Sequence, residues 1–343
     1  MVFKRLLGAL GVGGPSVDTV LTGGPVLPGG TLYGQVHVEG GDADADIHAV
    51  VLELVARVEA EGGHGYEDGE HEGVVVFERV AVGGGFRLAA GARHTVPFSV
   101  AVPWETPVTE LHGQPLGIAL GVRTELEVAG ARDKGDLDAL SVAPLPAQEA
   151  ILEALGQLGF GFTSADLELG RIHGTGQQLP FYQEIELVPP ARYAHAISQI
   201  ELTFLAQPAG VEIVLEADKR GGLFSEGHDQ VNRFLVDHDS VSRVDWTAEV
   251  DSWIQGLADH HGGFGSPLAY GHGHGHDRGH HDDHHHGSGM GVGTAVAAGA
   301  AGLAAGAVGG YLVSEAIDEF FDDESDADDG DGGDEDSGDD DES

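Results

Sequence analysis

The sequence predicts a mainly β protein made of two tandem antiparallel β-sandwich domains, with a short helix between them and a low-complexity C-terminal extension. Three observations lead to this prediction. Short stretches with apolar residues at every second position recur between clusters of Gly, Pro and Asp. One helical pattern separates two halves that are rich in such stretches. Beyond residue 258 the composition changes to Gly, His, Ala and Asp.

The first half of the chain carries strand patterns only. A Pro-Gly-Gly turn leads into residues 31–38, where apolar and polar residues alternate. The polar, Gly-rich segment 61–73 is predicted to be an exposed hairpin tip. The predicted strands of this half are 17–21, 31–38, 47–59, 73–82, 93–102 and 116–128.

The second half begins with a helical pattern over residues 147–158. Pro146 suits its first turn and Gly159 suits its end. A terminal helix is predicted over 247–259, with Thr247 as its N-cap and an apolar stripe that faces a core. The predicted strands between these helices are 160–170, 180–188, 197–206 and 211–218.

Together these patterns divide the chain into five segments. The predicted segments are an N-terminal sandwich (1–135), a C-terminal sandwich with both helices (136–258), a Gly/His-rich linker (259–289), a small-residue helix candidate (290–321) and a disordered acidic tail (322–343). The first residues, which contain Lys4 and Arg5, are predicted to be a short amphipathic lead-in to the first strand, because glycines interrupt their apolar run early.

The net charge of −42 over 343 residues is extreme. Residues 1–258 hold 37 acidic and 15 basic side chains, so the folded part is itself acidic. Lysine occurs only at Lys4, Lys134 and Lys219. Multimolar salt screens such carboxylates over about 3 Å, so this composition favours adaptation to a salt-loaded cytoplasm over the alternative of an acidic mesophilic protein. A nucleic-acid partner is not expected, because little positive charge is present to neutralise phosphates.

The sequence offers no pattern typical of an enzyme. It has no cysteine, so disulfides, thiolate metal sites and cysteine nucleophiles are excluded. It also has no nucleophile elbow, Walker loop or zinc-protease motif. We therefore expect a protein that is not an enzyme and that needs no cofactor.

Several ordered blocks within residues 1–258 resemble the sporulation-control family, typified by stage-zero sporulation protein M, of the arrestin-like superfamily. The blocks are VDTVL, PGGTLYGQVHVEGGDADADIHAVVLELVARVE, LDALSVAPLPAQEAILEALGQLGF, FYQEIELVPP and EADKRGGLFSE. The resemblance implies two arrestin-like sandwiches in a cytoplasmic, non-catalytic regulatory or scaffolding protein. It implies protein partners that contact loops and edge strands, and it does not identify them.

A Gly/His tract supplies the strongest local signal for metal binding. Neutral imidazoles suit Zn²⁺, Ni²⁺ or Cu²⁺, although a flexible repeat lacks the fixed hydrogen-bond partners that orient the ligands of a structural site. Adventitious binding, a physiological metal role and a flexible polar linker all remain open. The candidate ligands are His272, His274, His276, His280, His281, His284, His285 and His286.

Residues 290–313 form an uncharged stretch of Gly, Ala and a few larger apolar residues. Its length would span a bilayer, and Gly302, Gly306 and Gly310 have the spacing that lets helices approach closely. Three interpretations remain open: self-association or peripheral membrane contact through 290–321, a weakly structured segment, or a transmembrane span. The chain is accordingly expected to be cytoplasmic, with membrane association as an alternative.

Two functional classes follow from these observations. The first is a non-enzymatic regulator or scaffold that binds proteins through its sandwiches. The second is a metal- or membrane-responsive accessory protein that works through its His-rich and Gly/Ala-rich C-terminal region.

Overall fold

The computed structural model of the protein describes residues 13–60, 71–129, 134–219 and 230–259. The first half of the fold contains ten strands: β1 (Ser16–Thr22), β2 (Thr31–Glu39), β3 (Ala45–Ala60), β4 (His71–Gly83), β5 (Phe86–Leu88), β6 (Arg93–Ala101), β7 (Glu110–Leu111), β8 (Gln114–Pro115), β9 (Leu120–Val128) and β10 (Lys134–Ala139).

The second half contains helix α1 (Pro146–Leu158), five strands, a short 3₁₀ helix (His238–Arg243) and helix α2 (Trp246–Asp259). The strands are β11 (Gly161–Leu169), β12 (Phe181–Val188), β13 (Ile197–Gln207), β14 (Gly210–Lys219) and β15 (Gln230–Asp237). The mainly β class predicted from the sequence is confirmed.

The first half is a two-layer structure. One layer is the antiparallel sheet β1-β2-β6, and the other centres on β3, which pairs with β4, β5 and β9. Alternate residues of β2 are buried, as its sequence pattern predicts. These residues meet inward side chains of β3, β6 and β9 in one hydrophobic core.

The second half places its two predicted helices against one sheet. Strands β11 to β15 pair in consecutive antiparallel order, and side chains of α1, α2 and the inner sheet face form a second core. The apolar positions predicted for α2, Val250, Trp253, Ile254 and Leu257, are all buried.

The ends of the helices are fixed locally. Helix α1 begins with Pro146 and ends at Gly159, whose φ of +93° is accessible to glycine without strain. The predicted N-cap of α2 is wrong: Asp245 accepts the backbone N–H of Ala248 at 3.2 Å. The Thr247 hydroxyl instead donates to Gln157 of α1 at 2.7 Å.

The two halves share one continuous sheet. Glu59 of β3 and Glu168 of β11 pair in parallel, so a ten-stranded sheet runs through both halves. Phe181 of β12 belongs to the first core and contacts Phe77 of β4 edge-to-face at 5.6 Å. The boundary predicted between residues 135 and 136 falls inside β10, which pairs with β9.

Several sequence expectations concern other parts of the chain. The predicted strand 116–128 begins only at Leu120, and residues 71–73 of the predicted hairpin tip belong to β4. The rest of that tip, the lead-in at residues 1–12, the His tract, the small-residue stretch and the acidic tail lie outside the described residues. Among the helices that are described, none has the length and apolar character needed to cross a membrane.

Candidate functional site at the junction of the two halves

The loop 102–109, called the junction loop, connects β6 to β7 and contacts the second half. Backbone hydrogen bonds connect it to the Pro-Gly-Gly turn that precedes β2. The Gly29 N–H donates to the Pro103 carbonyl at 3.3 Å, and the Val102 N–H donates to the Gly30 carbonyl at 2.9 Å. These bonds fix both the start and the direction of the loop.

Gly29 also makes room for an indole ring. Its φ is +72°, and a Cβ at this position would lie 2.4 Å from the Trp104 ring. The Trp104 ring packs against the second core and stacks on His238, with ring centres 5.5 Å apart. The turn at Gly29 therefore allows a first-half tryptophan to reach the second half.

Glu105 binds the second half through its carboxylate. Its oxygens accept the backbone N–H of Gln178 at 2.7 and 2.8 Å and that of Leu179 at 2.8 Å. Burial raises the pKa of Glu105, and the N–H donors partly offset this effect. The side chain thus fixes the segment before β12 against the junction loop.

Gln183 closes the same contact from β12. Its side-chain amide donates to the Val108 carbonyl at 2.8 Å and accepts the Val108 N–H at 2.9 Å. This amide is buried, and its two hydrogen bonds to the Val108 backbone replace those that a neighbouring strand would make. The N–H and the carbonyl of Val108 are therefore both hydrogen-bonded by a side chain instead of by a strand.

Replacing Gln183 with Leu is expected to lower the free energy of unfolding by about 1–3 kcal/mol, because both polar atoms of Val108 would stay buried without a partner. The matched control is Gln178→Leu, since the Gln178 amide is exposed and bonds only to the Gly176 carbonyl. Urea unfolding of both variants at high salt measures the difference. Equal losses in the two variants would contradict this role for Gln183.

A second polar cluster lies on the outer face of the first half. Glu53 of β3 is buried and sits between Arg79 of β4 and Arg123 of β9, its cross-strand neighbours. Arg79 also pairs with Glu125 at 3.2 Å and Glu127 at 3.1 Å. Two arginines thus neutralise the buried carboxylate on this face.

The outer face of the second half has a different balance of charge. Asp166 and Glu184 are opposite each other on β11 and β12, and Glu201 and Glu216 are opposite each other on β13 and β14. Burial, followed by the charges of Glu201 and Asp166, raises the pKa of Glu184 to about 8. Asp166, Glu168 and Glu184 bring their oxygens within 4.8 Å of one another. We call these five residues the acidic face.

Open depressions accompany these features. One of about 260 Å³ lies on the outer face of the β1-β2-β6 sheet, beside Asp18, His37 and Arg93. Another of about 190 Å³ lies beside the β7–β8 hairpin. The polar side chains of the junction itself are hydrogen-bonded to backbone groups, an arrangement that suits positioning and recognition.

The predicted metal-binding histidines all lie outside the described residues, and their role stays a prediction. Sequence reasoning missed Trp104, Glu105 and Gln183. The Pro-Gly-Gly turn was visible in the sequence, but the ring that requires Gly29 is 75 positions away in the chain.

Fold and junction together define a class of protein: a two-part, mainly antiparallel β protein whose halves are fastened by side chains. The family model described as SpoOM protein matches residues 3–221. The chain therefore belongs to the Spo0M sporulation-control family.

A curated relative and a solved structure support this assignment. The sporulation-control protein spo0M of Bacillus subtilis (strain 168) is 31% identical over 264 residues, which cover 76% of this chain and 98% of the relative. The crystal structure of Spo0M from Bacillus subtilis matches with a TM-score of 0.61 at 30% identity, over 72% of this chain and 99% of that one.

Proposed function

We propose that this chain is a non-enzymatic regulatory or scaffolding protein that acts by binding other proteins. The observation that carries the proposal is family membership, since the match to the sporulation-control relative extends through both halves of the fold. The junction supports it as well, because its polar side chains hold two sheets in a fixed relation. Edge strands and loops held in this way are suited to recognition.

The surface chemistry limits the partners. A chain with a net charge of −42 repels nucleic acid and other strongly acidic surfaces. Protein partners in a salt-adapted cytoplasm fit this charge, because concentrated salt screens the repulsion between carboxylates. No cofactor is needed for such a role.

A second candidate function places the activity in the C-terminal region. The observation that favours it is the eight-histidine tract of residues 272–286, which is followed by the uncharged stretch 290–313. Zn²⁺, Ni²⁺ or Cu²⁺ would bind the tract, and residues 290–321 would self-associate or contact a membrane surface. The two halves would then serve as a support.

Deletion of residues 260–343 distinguishes the two candidates. The tagged full chain and the tagged deletion variant are used to capture partners from native lysate at high salt, and captured proteins are quantified by mass spectrometry. We expect the same proteins to be enriched by both baits, because both cores lie within residues 13–259. A full chain in which the eight tract histidines are replaced by Asn is the matched control for metal-dependent capture.

Loss of every specific partner on deletion would contradict the first proposal and favour the second. If the full chain with the eight tract histidines replaced also loses them, the His tract is responsible. If it keeps them, the stretch 290–321 or the acidic tail is responsible. Turnover of a small molecule by the purified full chain would contradict both proposals.

A further inference from the structure

The β7–β8 hairpin has an uncommon residue at its turn. His112 has a φ of +52° and Gly113 a φ of +76°, and Leu111 pairs with Gln114 on either side of them. This pattern is that of a type I′ turn, whose first central position is ordinarily Asn, Asp or Gly. His112 is the one non-glycine residue with positive φ among the described residues.

The His112 ring lies between two carboxylates of α1. Nδ1 is 3.3 Å from Oε1 of Glu149, and Nε2 is 3.2 Å from Oε1 of Glu153. Glu149 and Glu153 are one helical turn apart, so they lie on the same face of α1 and repel each other. Each ring nitrogen therefore faces a different negative charge.

The two contacts place a chemical requirement on the ring. A neutral imidazole has one N–H donor and one lone pair, so it can satisfy only one of the two carboxylates. The protonated ring has two donors and satisfies both. One atom from each of the three groups also lies within 4.8 Å of the others, so a bound metal is the competing explanation, which a chelator removes.

We propose that His112 is a proton-dependent latch that fastens the β7–β8 hairpin to α1. The latch is closed when the ring is protonated and loosens when the ring loses its proton. The titratable groups that face the ring from α1 are Glu149 and Glu153, and the other titratable group of the hairpin is Glu110. This inference does not depend on the proposed function.

The latch connects the two halves at a point separate from Glu105 and Gln183. Leu111, next to His112, packs against the second core, and α1 is the first element of the second half. Loosening the hairpin would weaken this contact while leaving the ten-stranded sheet intact. Loss of the proton would therefore weaken the contact between the hairpin and α1 without unfolding the chain.

The size of the effect follows from exposure. The three side chains are 43–52% exposed, and exposed ion pairs of this kind change an equilibrium by about two- to fivefold. The contact is therefore strongest when the ring is protonated and weakens when the ring is neutral.

Hydrogen exchange of the full-length protein tests the latch. Protection of the peptide 108–118 is measured at about pH 5.5 and about pH 8, on either side of the histidine range. Rates are corrected for intrinsic exchange, with the β13–β14 turn as internal reference and a chelator in every sample. We expect the hairpin to be about two- to fivefold more protected at the lower pH.

Two variants make the result specific. His112→Asn keeps a residue that tolerates positive φ and removes the titrating group, so its protection should not change with pH. The double variant Glu149→Gln and Glu153→Gln should also lose the pH dependence while leaving the turn unaltered. Protection of the wild-type hairpin that is the same at both pH values would overturn the proposal. So would a pH dependence that persists in His112→Asn, or one that appears only without chelator.

Discussion

Replacing Glu184 with Gln is expected to raise the free energy of unfolding by about 2–4 kcal/mol at pH 8. The pKa of Glu184 is raised to about 8 from an ordinary value of 4.5, chiefly by burial and then by the neighbouring charges of Glu201 and Asp166. Above pH 4.5 the unfolded chain releases this proton more readily than the folded chain does. Ionisation therefore favours unfolding as the pH rises.

The sign follows from the direction of the shift. A raised carboxyl pKa gives a stabilising contribution that is fully present below pH 4.5 and is lost as the pH rises to about 8. Glu184→Gln should remove this loss, because its neutral amide can donate to the carboxylates of the acidic face. Its stability should consequently change less between pH 5 and pH 8.

Chemical unfolding of both proteins across this pH range, at constant high salt, measures the effect. Glu186→Gln is the matched control, since Glu186 lies on the same strand and face and accepts the Ser164 hydroxyl at 2.7 Å. We expect Glu186→Gln to reduce the pH dependence of the free energy of unfolding less than Glu184→Gln does. Parallel pH profiles for wild type and Glu184→Gln would show that Glu184 does not carry the repulsion.

Replacing Gly29 with Ala is expected to lower the free energy of unfolding by about 2–4 kcal/mol. The left-handed backbone costs alanine about 1 kcal/mol. The remainder comes from the Trp104 ring, because a Cβ at residue 29 would lie 2.4 Å from it and must displace it. A displaced Trp104 loses its stacking on His238 and its contact with the second core.

Gly91→Ala separates the two contributions. Gly91 has a φ of +65°, and a Cβ added there would meet no atom within 4 Å, so its substitution costs only the backbone conformation. Unfolding monitored by tryptophan fluorescence compares the variants at high salt. Gly29→Ala should be clearly less stable than Gly91→Ala. Equal losses of stability in the two variants would mean that the Trp104 ring adapts to the added Cβ. The turn would then not depend on the small size of Gly29.

The sequence predicted those elements whose cause is local. Alternation along residues 31–38 identified β2, and the apolar spacing from Val250 to Leu257 identified α2, because a buried face imposes its period directly on the chain. Pro146 and Gly159 marked α1 for equally local reasons. Which layer covers the sheet β11–β15 has no such local cause, because it depends on residues that are far apart in the chain.

Other features were missed because they depend on distant partners. The two-residue strands β7 and β8 are too short to show a period, and β10 is recognisable only by its pairing with β9. Nothing in the sequence distinguishes Glu184 from Glu186, which is two positions further along the same strand. In the structure, burial and the opposing strand set Glu184 apart, and neither can be read from its neighbours in the chain.

The pairing of Glu59 with Glu168 has an evolutionary consequence. Because one sheet crosses the boundary and Phe181 completes the core of the preceding half, a genetic exchange at the midpoint would cut through shared packing. Neither half could be transplanted alone into an unrelated protein without exposing apolar surface. We therefore expect the halves to be inherited as one unit, with substitutions on either side of the crossing compatible with the other side.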